Sequence, residues 1–163
     1  MKRMIGRPVI MMSDISVQYA LARKALPAAN TVRDWVSATL GVKQANASLC
    51  VRFVGQKEGR QLNHQWRNVD KATNVLAFPV DGFDGLMPNL LGDVVLCVPV
   101  ARREAREQGK TPRAHIAHLI IHGVLHLMGY DHMKPREQAR MEKQEIAILS
   151  QLGFNDPYRI PSP

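Results

Sequence analysis

The sequence predicts an α+β (mixed α/β) fold: a small mixed sheet of about four strands packed against about five helices, with a metal site at the end of a long central helix. Three observations carry this expectation. At 163 residues the chain is the size of one domain and can bury most of its apolar surface in a single core. Short apolar runs rich in β-branched residues alternate with stretches whose apolar residues recur at helical spacing. The longest helical stretch, Pro112 to Met128, carries four of the six histidines. No internal repeat, low-complexity tract or shift in composition marks a second domain. Residues 1–153 therefore read as one domain and 154–163, with three prolines, as a loose tail.

In chain order, residues 8–19 (PVIMMSDISVQY) read as a first strand, broken or extended around Ser13-Asp14. Between Asn30 and Leu40, Val32, Trp35, Val36 and Leu40 lie at helical spacing, and Gly41 stops that helix. Ala47 to Val54 is a second strand by its β-branched and aromatic content. A short helix follows from Lys57 to Arg67, with Leu62 and Trp66 four apart. Asn74 to Phe78 is a third strand closed by Pro79, and the turn-rich segment Asp81–Asn89 leaves it as a loop or hairpin connection. Leu90 to Val98 is the most apolar run and reads as a central strand buried on both faces. Pro99 opens a helix carrying Arg102, Arg103, Arg106 and Lys110 among Glu104 and Glu107. Thr111-Pro112 joins a capping hydroxyl to a proline at the first helical position, and one helix should run from there to Met128. Pro135 opens the last helix, on which Met141, Ile148 and Leu152 share a face before Gly153 ends it. Strand order is not readable.

Apolar residues at 45% and charged residues at 22% match a soluble globular protein. The formal charge of +8 favours a polyanionic partner, nucleic acid ahead of an acidic membrane surface. Cys50 and Cys97 lie in strand-like apolar runs without framework spacing, so they read as buried thiols suited to a reducing cytosol. The apolar run Val9–Met12 is too short for a signal segment, and no stretch approaches the roughly 20 apolar residues of a membrane span. The expectation is a cytoplasmic protein with no membrane partner.

The chemistry concentrates in residues 122–132, HGVLHLMGYDH. Residues four apart on a helix stack on one face, so His122 and His126 can share an ion. Gly129 can end the helix and turn the chain so that His132 supplies a third nitrogen. Three protein ligands with an open position are the arrangement of a catalytic zinc site. His115, His118, His122 and His126 fall within a stripe of about 80° at 100° per residue. His118/His122 has the same spacing as His122/His126, but only the second pair leaves the glycine turn near enough to deliver His132. His118 then stands behind the ligands or on the pocket wall, and His115 is the more exposed. Imidazoles without thiolates suit Zn²⁺ best, with Ni²⁺ or Cu²⁺ able to bind in vitro. The stretch matches the metalloprotease pattern H-E-x-x-H-x-x-G-x-x-H except that Gly123 replaces the glutamate. That glutamate is the protease's base, so its absence argues against peptide hydrolysis and leaves a less negative site that suits a phosphodiester. Asp131 is adjacent and can orient a ligand histidine.

HGVLHLMGYDH resembles the signature of the YbeY family, bacterial metal-dependent endoribonucleases implicated in ribosomal RNA maturation. QLNHQWRNVDKATNVLAFP, residues 61–79, resembles that family's Leu-Asn, Arg, Thr-Asn-Val-Leu and Phe-Pro segment, and LLGDVVLC, residues 90–97, its Leu-Gly-Asp strand. The resemblance implies a single-strand-acting endoribonuclease in small-subunit ribosomal RNA end processing and ribosome quality control, with one Zn²⁺. It implies ribosomal RNA and the ribosome or its proteins as partners. The family's metal-binding histidines fall on His122, His126 and His132, and its functionally important arginine on Arg67. Two positions depart: Trp66 stands where tyrosine is common, and Ala77 where a hydroxyl residue is common.

Of the remaining residues, Arg67 can clamp a phosphate through two parallel hydrogen bonds. Asn74 can bind substrate or cap a turn, and Asp93 suits a turn or supporting role before the buried strand. Arg102, Arg103, Arg106, Lys110 and Arg113 form either a solvated helix face or a phosphate-tracking surface, and the second is favoured. With few aromatics for stacking, shape and backbone recognition are expected. The catalytic set is Arg67, His122, His126 and His132; Arg67, Asn74 and His118 are expected to meet substrate. Two other readings are a peptide or small-molecule metallohydrolase, and a non-catalytic ribosome-assembly factor whose metal holds the glycine turn.

Overall fold

The computed structural model describes residues 14–80 and 89–159. The expected strand start at residues 8–13, the turn-rich stretch 81–88 and the last four tail residues, 160–163, lie outside them. The order is β1 (Asp14–Tyr19), α1 (Ala29–Leu40), a 3₁₀ turn (Val42–Gln44), β2 (Ser48–Val54), α2 (Gln56–Arg67), β3 (Val75–Pro79), β4 (Leu90–Cys97), α3 (Val98–Glu107), α4 (Pro112–Leu127) and α5 (Pro135–Gln151). The expected α+β class, the four strands and the five helices are all present. The sheet runs β1-β2-β4-β3, with β1, β2 and β4 parallel and β3 antiparallel on the edge beside β4.

Period-two alternation divides the strands between two apolar clusters. Leu49, Val51 and Phe53 of β2, with Val94 and Leu96 of β4, face the main core under α1 and α4. Val54, Leu76, Val95 and Cys97 face the other way, against Ala72 and Val100. β4 is thus covered on both faces along most of its length, as its unbroken apolar run predicts. Cys97 is buried and Cys50 half-buried, and both are free thiols.

Gly92 allows the edge strand to pair. It sits at φ 134°, and a β-carbon there would lie 2.0 Å from the Phe78 carbonyl oxygen. Ser48 pairs with Leu90 and Leu49 with Gly92, so Leu91 is an extra residue that bends β4.

Helix α4 is the centre of the packing. The Thr111 hydroxyl accepts from the Ala114 N–H at 3.1 Å and Pro112 follows as the first helical residue. Ile116, Ala117, Leu119, Ile120, Ile121, Val124, Leu125 and Leu127 are all buried, leaving only the histidine stripe to face polar surroundings. Its seat on the sheet depends on Gly123, where an added β-carbon would come 2.7 Å from Val94 Cγ1 and 3.4 Å from Val75 Cγ2. Val94 is fully buried and its β-branched side chain is stiff, so the helix would have to lift. Overpacking costs roughly 1–3 kcal/mol, against about 1 kcal/mol that alanine gains over glycine in a helix. Gly123→Ala should therefore lower the unfolding midpoint, and Val94→Ala added to it should recover part of the loss. Additive midpoints in the double variant would show that the two residues do not compete for space.

Candidate metal centre and cleft

The C-terminal end of α4 carries two of the expected ligands and its turn carries the third. Met128 is followed by Gly129 at φ 101°, a left-handed residue that only glycine adopts cheaply. The Gly129 N–H donates to the His126 carbonyl and the Tyr130 N–H to the Leu125 carbonyl, both at 3.0 Å, which is the paired closure of a Schellman motif. Asp131 then accepts from the backbone N–H groups of His132 at 2.7 Å and Met133 at 3.2 Å. Its carboxylate ties down the backbone of the turn on which His132 sits.

His126 Nε2 lies 3.1 Å from His122 Nε2 and 3.0 Å from His132 Nδ1. One nitrogen from each ring lies within 4.8 Å of the others. A neutral imidazole nitrogen carries at most one proton, so His126 Nε2 can donate to only one of its two neighbours. At least one close pair of ring nitrogens therefore faces a lone pair across the gap. Tetrahedral coordination at a Zn–N distance of about 2.0–2.1 Å would place ligand nitrogens roughly 3.4 Å apart, near the two separations from His126. Burial, then the neighbouring imidazoles, holds His126 below the ordinary histidine value and keeps its ring neutral. The donor set fits a divalent ion.

Behind the triad stands a carboxylate. Glu145 of α5 is 1% exposed, and its Oε2 meets His118 Nε2 in a short hydrogen bond and lies 3.5 Å from His122 Nδ1. Tyr158 donates its hydroxyl to Glu145 Oε1 at 2.9 Å. Burial alone would raise the Glu145 carboxyl, but the hydrogen bonds from His118 and His122 outweigh it and hold it at about 2. Burial, then the Glu145 charge, pushes the Tyr158 phenol well above its usual value, so it remains a donor. Tyr158 belongs to the segment expected to be loose. Residues 154–159 instead lie against the domain: Phe154 meets Trp35 edge-on at 5.8 Å and Lys110 donates to the Pro157 carbonyl at 2.6 Å.

His115 is a correction. Expected to be the more exposed, it is 4% exposed and bonded through Nε2 to Glu104 at 2.8 Å. Asn74 donates to the same Glu104 carboxylate at 3.1–3.2 Å, and its Oδ1 accepts from the Val75 N–H at 2.6 Å. Glu104 therefore ties α3 to α4 and to the start of β3, leaving Asn74 committed to structure. His118 likewise gives Nε2 to Glu145, while its Nδ1 is buried.

One cleft of about 840 Å³ runs past the triad. Its lining includes the three histidines, His118, Asn74, Ala77 and Arg67. Arg67 closes α2, is exposed, and makes no ion pair or hydrogen bond among the described residues. Of the five basic residues of α3 and its neighbourhood, only Lys110 lines the cleft. Arg102 donates to the Lys24 carbonyl and Arg113 lies 5.3 Å over Trp35, so the series is dispersed rather than a single track. Glu145 and Tyr158 are not among the residues the sequence singles out. Glu145 occupies the apolar stripe of α5 between Met141 and Ile148, and a carboxylate at such a position is the signal that could have marked it.

Comparison with known proteins places this site in a family. The family model described as Endoribonuclease YbeY matches residues 17–153. An Endoribonuclease YbeY of Xanthomonas axonopodis pv. citri (strain 306) is 51% identical over 150 residues, covering 89% of this chain and 92% of that protein. One from Stenotrophomonas maltophilia (strain R551-3) is 50% identical over 149 residues with the same coverage. The solution structure of TM1509 from Thermotoga maritima shares the fold, with a TM-score of 0.58 at 23% identity over 89% of this chain and 99% of that one. Holding the triad on the matched stretch, the chain belongs to the endoribonuclease YbeY family.

Proposed function

We propose that this chain is a metal-dependent endoribonuclease acting in ribosomal RNA processing, with His122, His126 and His132 holding one zinc ion and Arg67 binding substrate phosphate. The observation that carries the reading is the convergence of three imidazole nitrogens on the wall of a cleft whose arginine has no partner among the described residues. An ion held there supplies Lewis acidity, acidifying water and neutralising phosphoryl charge. The chain's own groups do the rest. The Arg67 guanidinium offers a planar fork that matches two phosphate oxygens. Glu145 faces His122 Nδ1 and so leaves Nε2 to the triad; Asp131 holds the turn that carries His132. Asn74 and His118, both on the cleft wall, contribute through shape more than through free polar atoms. Ribosomal RNA is the substrate, the ribosome or its proteins the partners, and the cytoplasm the compartment. No described helix is long and apolar enough to cross a membrane.

Purified protein incubated with a structured ribosomal RNA fragment should cleave it, lose cleavage in chelator and regain it on adding zinc. His126→Ala should be inactive with or without added metal. Cleavage that survives the chelator or that substitution would sink the assignment. Arg67→Ala should lower cleavage by about 10²-fold while leaving zinc affinity intact, since a lost charge-stabilising donor costs on that order.

Glu145→Gln keeps the side chain's shape and removes its charge. Zinc affinity, read by competition with a coloured chelator, should fall roughly 10–100-fold, with a smaller loss in Tyr158→Phe. Equal affinity in wild type and Glu145→Gln would reduce Glu145 to a packing role.

A further inference from the structure

Large apolar side chains are sparse on the described surface: Val42, Trp66, Val69, Met133 and Tyr158. Met133 and Tyr158 line the cleft, and Trp66 immediately precedes Arg67, which also lines it. Trp66 is 64% exposed, unusual for the side chain with the most apolar surface to hide. Its ring lies 6.1 Å from that of Phe78 at a tilt of 59°. Phe78 sits between Ala77 and Pro79, both cleft residues, on the edge strand. The indole leans on Phe78, which packs against the second apolar cluster, and leaves most of its surface to solvent. In the chain it is followed directly by the exposed Arg67.

A protein partner would favour a broad continuous apolar patch, whereas one exposed indole directly followed by a guanidinium unpaired among the described residues, Arg67, matches the alternation of flat base and charged phosphate in a single strand. We propose that Trp66, backed by Phe78, is a stacking platform for one unpaired base of an RNA strand whose adjoining phosphate is taken by Arg67. This rests on the endoribonuclease reading and names a side chain through which the single-strand action expected of the family would be exerted, because a base inside a duplex has no free face to offer. The recognition is tolerant of base identity, since every base presents such a face.

The chain's other tryptophan, Trp35, is 3% exposed, so Trp66 is the accessible reporter. Titrating the full-length protein with a short oligoadenylate should quench indole fluorescence, and an abasic oligomer of equal charge should not. Trp66→Ala should bind the oligoadenylate about tenfold more weakly, the order of one base's stacking, and the abasic strand as wild type does. Trp66→Phe should retain most of the affinity. Equal oligoadenylate affinity in wild type and Trp66→Ala, or quenching by the abasic strand to the same degree, would overturn the platform. Chelator-sensitive cleavage by wild type tests the wider reading separately: if it persists while Trp66→Ala binds normally, only the platform fails.

Discussion

Helix α4 is apolar on nearly every side, and the fold is arranged to cover it. The sheet takes one side, α1, α3 and α5 take others, and only the histidine stripe is left facing polar groups. A helix this hydrophobic has no stable exposed orientation, so burial fixes its rotation about its own axis. That rotation is what aims His122 and His126. At Gly123 the fit is close enough that a β-carbon would enter Val94's space. Helix depth and the direction of the two histidines are therefore set by one contact, and the geometry of the triad inherits the rigidity of the core.

Burying polar groups beside such a helix is costly unless each is paired. Two carboxylates solve this on α4. Glu104 answers His115 and Asn74, and Glu145 answers His118, His122 and Tyr158. The first joins three elements without touching the triad; the second reaches a ligand ring directly. Tyr158 comes from the segment after α5, so the chain's last described residues are coupled to the histidine triad through a single buried carboxylate. The same segment is held by Lys110 and by Phe154 on Trp35, which accounts for residues 154–159 lying against the domain.

What was legible in the sequence follows the range of the forces involved. Helices with a cap, a proline start or a glycine stop declared themselves, because those signals act within a turn of the chain. The triad was legible for the same reason: its spacing of four, then a glycine, is local geometry. β4 was recognised as central from its unbroken apolar run, but the order β1-β2-β4-β3 was not, since pairing joins residues far apart. His115 was misjudged because its partner, Glu104, lies on another helix. Glu145 carried a legible sign, a charge within an apolar stripe, though its partners lie 23 and 27 positions away on α4 and 13 positions away at Tyr158. The basic series was legible as charge but not as surface: its arginines diverge to Lys24, Trp35 and solvent once the helices are placed.

The residue that separates this centre from a protease's serves two ends at once. In the protease pattern a glutamate follows the first histidine and acts as base. Here a side chain at Gly123 would start from a β-carbon directed into Val94, on the sheet side of the helix. Restoring glutamate would thus mean lifting α4, which would carry His122 and His126 with it and disturb the contact with Glu145. Packing and chemistry exclude the protease base together. The cleft keeps a guanidinium at Arg67 and no carboxylate directly after His122, which suits an anionic phosphodiester better than a glutamate there would.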